Sequence, residues 1–126
     1  MVPILIASNT GYAGRTFMTL GLALKLADMG YKVGVTKPLG TVPVKSGKSV
    51  HDADALFFKE TLGLTEPLDT ISPFVLSFEE QIRLYEGSGA DVKKLVLAAF
   101  RSIKKKDFVI ICGANDLMEG ALLGIN

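Results

Sequence analysis

The chain has 126 residues, of which 48% are hydrophobic and 21% charged, with a formal net charge of +1 and a mean hydropathy of +0.35. That length suits one domain with one core, and the near-zero charge gives no general basic field for nucleic acid. No apolar run reaches the roughly 20 residues of a membrane helix, Cys112 stands alone and so excludes an intramolecular disulfide or a cysteine-rich metal site, and the N-terminus lacks a basic n-region, so no signal peptide is expected and the cytoplasm is the default location.

Pro3 to Ala7 (PILIA) is an unbroken apolar run that fits a strand covered on both faces. A polar turn, SNTGYAGRT, follows it. Arg15 to Met29 then reads as a helix, with Phe17, Leu20, Leu24 and Ala27 on one face and Met18, Leu22 and Leu26 beside it; so wide an apolar surface predicts deep burial. Gly30 suits its end. Lys32 to Thr36 reads as a second strand stopped by Pro38. Leu39 to Val50, with Gly, Pro, Ser and Lys, reads as a mobile loop. Asp52 to Leu62 reads as a helix closed by Gly63, Asp69 to Phe74 as a short strand limited by Pro73, and Glu79 to Tyr85 as a short helix before the break at Gly87 and Gly89.

Asp91 to Lys106 carries the clearest helical spacing. Val92, Leu95, Val96, Ala99 and Ile103 line one face, Asp91 favours the positive end, and Lys104, Lys105 and Lys106 favour the negative end. Phe108 to Cys112 is a further buried strand, and 113–126 suits loop and short helix. Strands alternating with helices predict an α/β fold: a mainly parallel sheet with helices on both faces. The whole of 1–126 reads as a single domain, expected to be incomplete at its C-terminus.

The strand–turn–helix order puts Gly14, Arg15 and Thr16 at a helix start, where free N–H groups and the helix dipole favour an anion. Gly11 and Gly14 let the backbone approach a phosphate. Thr16 sits where a hydroxyl can hold Mg²⁺, and Arg15 where a lysine usually reaches the phosphates. The usual pattern has Gly at the position of Asn9 and Lys at that of Arg15. The alternative is a glycine turn capped by Ser8, Asn9 or Thr10 with no ligand.

These segments, taken in order, resemble the dethiobiotin synthetase family and the related N-terminal domains of some phosphotransacetylases. The resemblance rests on SNTGYAGRT, on KPLGT at Lys37 to Thr41, on DADAL at Asp52 to Leu56, on SPF at Ser72 to Phe74, and on DFVIICGAND at Asp107 to Asp116. It covers nearly the whole chain. It implies a P-loop NTPase-like sheet, often a homodimer, with ATP and Mg²⁺ as cofactors. By position it implies a phosphate loop of Thr10, Gly11, Tyr12, Ala13, Gly14, Arg15 and Thr16. It further implies Mg²⁺ on Thr16 and Asp54, the anionic reaction centre on Lys37 as catalytic and substrate-binding residue, and substrate on Thr41. Tyr12 fits the phosphotransacetylase branch better. Where the family has Glu as a metal ligand this chain has Cys112, a poor partner for Mg²⁺.

Three functions follow as expectations: a regulatory domain that binds a nucleotide or other phosphate-bearing small molecule, an ATP- and Mg²⁺-dependent ligase of dethiobiotin synthetase type, or a ligand-free dimerisation module. Asp52 and Asp54 suit either Mg²⁺ or the dipole of a helix start. Asp116 and Glu119 could supply the missing acid from a strand-end loop. His51 reads as a solvated histidine and Cys112 as a small buried hydrophobe.

Overall fold

The computed structural model describes residues 1–116 and 118–124. Three strands form a parallel sheet: β1 (Val2–Ile6), β2 (Val33–Thr36) and, late in the chain, β7 (Phe108–Cys112). The order is β1-β7-β2, so the last strand is the central one, with Val2 and Val33 both opposite Phe108. Its sequence FVIIC has the unbroken apolar character of a strand covered on both faces, and Val109, Ile110 and Cys112 are all buried.

Helix α1 (Arg15–Asp28) links β1 to β2 and packs on the sheet. It ends at Met29, followed by Gly30 at φ +92, a left-handed turn that glycine adopts without strain. Ala23 of α1 joins Val35, Ile110 and Cys112 in the main core, with Ala55 and Phe58 of α2 (Ala53–Leu62) and Ile71 of α3 (Leu68–Ile71). Truncating the fully buried Phe58 to Ala would cost about 3–5 kcal/mol. The other side of the sheet is closed at Gly34, where Ile103 and Val109 leave just enough room for a Cβ, at 3.4 Å.

Two expectations about burial fail. Only Thr19 and Ala23 of α1 are buried, and Phe17 stays 78% exposed, with Met18 and Leu24 also open to solvent. The strand β1 is not covered on both faces either: it lies at the sheet edge and leaves Leu5 62% exposed. Apolar periodicity reports which surface can be buried, and no described element lies beyond β1 to bury it. Pro3 fits this place. Val2 N–H donates to Asp107 and Ile6 C=O accepts from Gly113, so alternate residues face β7 and Pro3, without an N–H, faces the open edge.

The expected loop from Leu39 to Val50 is largely strand. After β3 (Leu39–Gly40), β4 (Pro43–Ser46) and β5 (Ser49–Asp52) form an antiparallel hairpin whose two-residue turn has Gly47 at φ +62. Val42, Val44 and Val50 around Ser46–Gly47–Lys48–Ser49 are the signal, a two-residue turn with glycine between strands. The expected strand at Asp69 to Phe74 divides instead into α3 and β6 (Phe74–Val75), separated by Pro73, and β6 pairs with β3.

Helix α4 (Phe78–Tyr85) is capped by Ser77, whose hydroxyl accepts from Glu80 N–H. Asp91 likewise caps α5 (Val92–Ser102) through Lys94 N–H. Val92 and Val96 pack with Leu39 and Phe74 in a second, smaller core, but Leu95 is exposed. The helix stops before the lysines, because Ile103 turns extended to cover Gly34. The run Lys104 to Lys106 therefore lies beyond the helix, and Lys106 pairs with Glu66 at 3.0 Å rather than with the helix end. Of 113–126, a 3₁₀ turn at Ala121–Leu123 is seen, while residues 117, 125 and 126 lie outside the described residues. No described helix is long and apolar enough to cross a membrane.

Candidate functional site

The turn between β1 and α1 is shaped by its backbone. Gly14 is the residue before the helix, at φ 87, and Tyr12 also takes a positive φ of 55. Among the described residues no side chain caps α1, so its first N–H groups are left to whatever lies in front of them. Tyr12 points wholly into solvent. Arg15 turns back along the loop: its Nη1 donates to Ser8 Oγ and, at 2.9 Å, to Thr10 C=O, while Ser8 Oγ donates to the same carbonyl at 2.7 Å. Arginine's fork thus braces the turn while staying at the site.

Opposite the turn, Lys37 follows the last residue of β2. Its backbone N–H donates to Ile71 C=O at 2.7 Å, and Thr36 Oγ1 donates to that carbonyl too. The side chain is 3% exposed, and its Nζ lies 2.6 Å from Asp54 Oδ2 and 3.2 Å from Asp52 Oδ1. Asp54 Oδ2 also accepts from Thr16 Oγ1 at 3.2 Å, which ties the first turn of α1 to that of α2.

Asp52 is the anchor of this wall. It is completely buried, and its Oδ1 accepts from the backbone N–H groups of Thr41 and Val42 at 2.9 and 3.0 Å. Its Oδ2 accepts from Ala55 N–H at 3.0 Å, the N-cap bond of α2. Gly40 passes so close that a Cβ there would meet Asp52 Cβ and Ser72 Oγ, each at 2.8 Å. Burial of a charged pair is tolerable only with such complete bonding.

Between the two walls lies a cavity of about 210 Å³. Of the residues expected there, Tyr12, Ala13, Gly14, Arg15 and Thr16 line one side, and Lys37, Thr41 and Asp54 the other. Thr10 and Gly11 do not line it; Thr10 contributes through its carbonyl bond to Arg15. Val42, Gly113 and Asn115 complete the walls and were not singled out in the sequence. Gly113 N–H donates to Ile6 C=O at 2.8 Å, so the C-terminal ends of β1, β2 and β7 all meet at this place. Such strand ends are where open parallel sheets bind ligands.

Cys112 is buried at the end of β7, next to the cavity residue Gly113, and burial pushes its thiol pKa up, against smaller opposing effects of Thr19 and Lys37. It is a neutral thiol at pH 7. The two acids after β7 make local bonds and do not line the cavity. Glu119 accepts from Asn115 N–H and Nδ2, and Asp116 accepts from Met118 N–H. His51 lies in the hairpin opposite Val44, away from the cavity. Among the described residues no three His, Cys, Asp or Glu side chains converge to hold a metal ion. Thr16 and Asp54, the two groups expected to bind Mg²⁺, lie side by side, with Thr16 Oγ1 3.2 Å from Asp54 Oδ2, and Asp54 also accepts from the Lys37 ammonium.

No family model matches the chain. The likeness to dethiobiotin synthetases therefore rests on the residue pattern.

Proposed function

We propose that this domain binds the phosphate groups of a nucleotide or similar small molecule in the cavity between the 12–16 turn and Lys37, as a regulatory site that holds its ligand without turning it over. One observation carries the reading: Gly14, Arg15, Thr16, Lys37, Thr41 and Asp54, from separate stretches of chain, line a single cavity. Uncapped N–H groups at the start of α1, the helix dipole and two cations suit an anion there. Cys112 supports holding over turnover, since a neutral buried thiol stands where the family it resembles has a metal-binding carboxylate.

Calorimetry with ATP, ADP, GTP and pyrophosphate tests this. Binding that weakens at least about tenfold in Arg15→Ala is the expected result. A folded sample that takes up none of them at millimolar concentration would overturn it.

The meeting of Thr16, Lys37, Thr41 and Asp54 favours a second reading, an ATP-dependent ligase of dethiobiotin synthetase type. Release of phosphate that depends on diaminopelargonate and bicarbonate would establish it in place of the first. A homodimer belongs to the same proposal. The exposed apolar side chains of β1 and α1 support it, and sedimentation over a concentration series tests it.

A further inference from the structure

We infer that this chain associates with a second copy of itself by seating the exposed stripe of α4 on the basic face of α5. The inference goes beyond the phosphate-site reading and uses none of its residues. The contact is also separate from the one through β1 and α1.

Helix α4 buries none of its residues, yet Phe78, Ile82 and Tyr85 recur at i, i+4 and i+7 and so share one face. They are 72%, 41% and 92% exposed. Beside Tyr85 an apolar groove of about 410 Å³ runs past Leu84 to Leu123. Large apolar side chains left open to water in one row mark a surface that another molecule covers. Glu79 and Glu86 border the stripe, and Glu119 lines the groove. The one cation on the helix, Arg83, is engaged by Glu80 at 2.7 Å. Lys45 reaches Glu79 only at 3.7 Å, with both side chains largely exposed. The border is therefore acidic, and it suits a basic amphipathic partner.

The chain itself carries such a surface. On α5, Lys93, Leu97 and Arg101 follow at i, i+4 and i+8, with Lys94 and Ala98 beside them, around an open hollow of about 420 Å³. All five are exposed. Among the described residues, Lys93, Lys94 and Arg101 have no ion-pair partner. The exposed Lys104 and Lys105 extend the positive region just past the helix. Residues 93–105 thus hold five positive charges and no negative one, against three negative and one positive in 78–86. The whole chain is only +1, so this separation, and not a general field, selects the partner. Leu97 and Ala98 give the aromatic stripe an apolar floor. The charges set which faces meet, since exposed ion pairs add little affinity of their own.

Every copy offers both faces, so a charge swap tests the contact. One variant carries Glu79→Lys and Glu86→Lys, the other Lys93→Glu and Arg101→Glu, all at exposed positions. In sedimentation equilibrium each alone should associate at least about tenfold more weakly than the parent. An equimolar mixture should regain the parent's affinity within about threefold, because opposite charges face each other again. A mixture no tighter than its components overturns the inference. Association that ignores both reversals belongs to β1 and α1, and also overturns it. Tyr85→Ser should weaken association at least about fivefold with the unfolding temperature unchanged, and unchanged association counts against the inference.

A zero-length carbodiimide, which joins amines to carboxylates, gives a second readout on the parent. A mixture of light and heavy-nitrogen protein should yield mixed-isotope peptides that join Glu79 or Glu86 to Lys93 or Lys94. Their absence overturns the inference, and this result decides if the charge-reversed variants do not fold. A parent that stays monomeric at millimolar concentration overturns both this contact and the homodimer proposed above, and leaves the phosphate site standing.

Discussion

On one side of the cavity, residues 8–14 form a turn that is mostly open to solvent, carries two positive φ values and is braced by one arginine. On the other side, Lys37 and Asp52 are buried, and Asp52 satisfies four donors from three different stretches of chain. The turn supplies N–H groups that have no partner of their own, and the opposite wall supplies a charge that cannot move. A site that must meet an anion without reorganising needs both, because donors fixed beforehand cost nothing to orient when the ligand arrives. The two walls should therefore respond differently to substitution: the buried one through stability, the turn through binding.

The largest effect is expected at Asp52. Asp52→Ala removes the cap of α2, strands the Thr41 and Val42 N–H groups and leaves Lys37 with half its partners, a loss of about 3–5 kcal/mol by urea unfolding. A loss below about 1 kcal/mol would mean that the buried wall is not the anchor described. Gly40→Ala comes next. The added methyl must displace Asp52 or Ser72, at about 1–3 kcal/mol, with pyrophosphate affinity falling alongside.

In the turn, Gly14→Ala has open space for its methyl and meets only the left-handed backbone at φ 87, so about 1–2 kcal/mol is expected in thermal unfolding. A neutral result would show that the turn relaxes freely. Arg15→Met is the sharpest contrast. It removes part-exposed bonds, worth under about 1 kcal/mol of stability. The same change would also remove the proposed charge-assisted phosphate contact, an expected loss of about 1.5–3 kcal/mol of binding measured by calorimetry. Equal losses in the two measurements would erase the distinction between the walls.

The turn was legible in the sequence because its instructions are local: a strand, glycines, then a helix with polar residues at its start. The buried wall was only half legible. Lys37, Thr41 and Asp54 could be placed from the segments that resemble the dethiobiotin synthetases, but Asp52, its centre, read equally well as an ordinary helix cap. It is that cap, and it also binds Lys37; one-dimensional spacing cannot show that Lys37 folds back onto Asp52 across the hairpin. The hairpin reads as a loop in sequence, because its glycine, proline and lysine content hides the two-residue turn at Gly47. Among helices, α2 and its Gly63 end, and the Asp91 cap of α5, follow from local chemistry. The exposure of Phe17 and Leu5 does not, since it depends on which elements lie beyond α1 and β1.

The position of β7 in the sheet sets a timetable. Among the described residues, β1 and β2 share no ladder, and each is joined only to β7. During synthesis at about 5–20 residues per second, β2 waits on the order of 4–14 s for residue 108 to be added. Until then the apolar PILIA segment and the sheet-facing side of α1, around Ala23, have no sheet to belong to. Nascent chains stopped before residue 108 should thus be the aggregation-prone species, and a holdase that shields the first thirty or so residues would act through that interval. Contacts this distant in sequence also make refolding slow compared with that of a helical bundle of the same size.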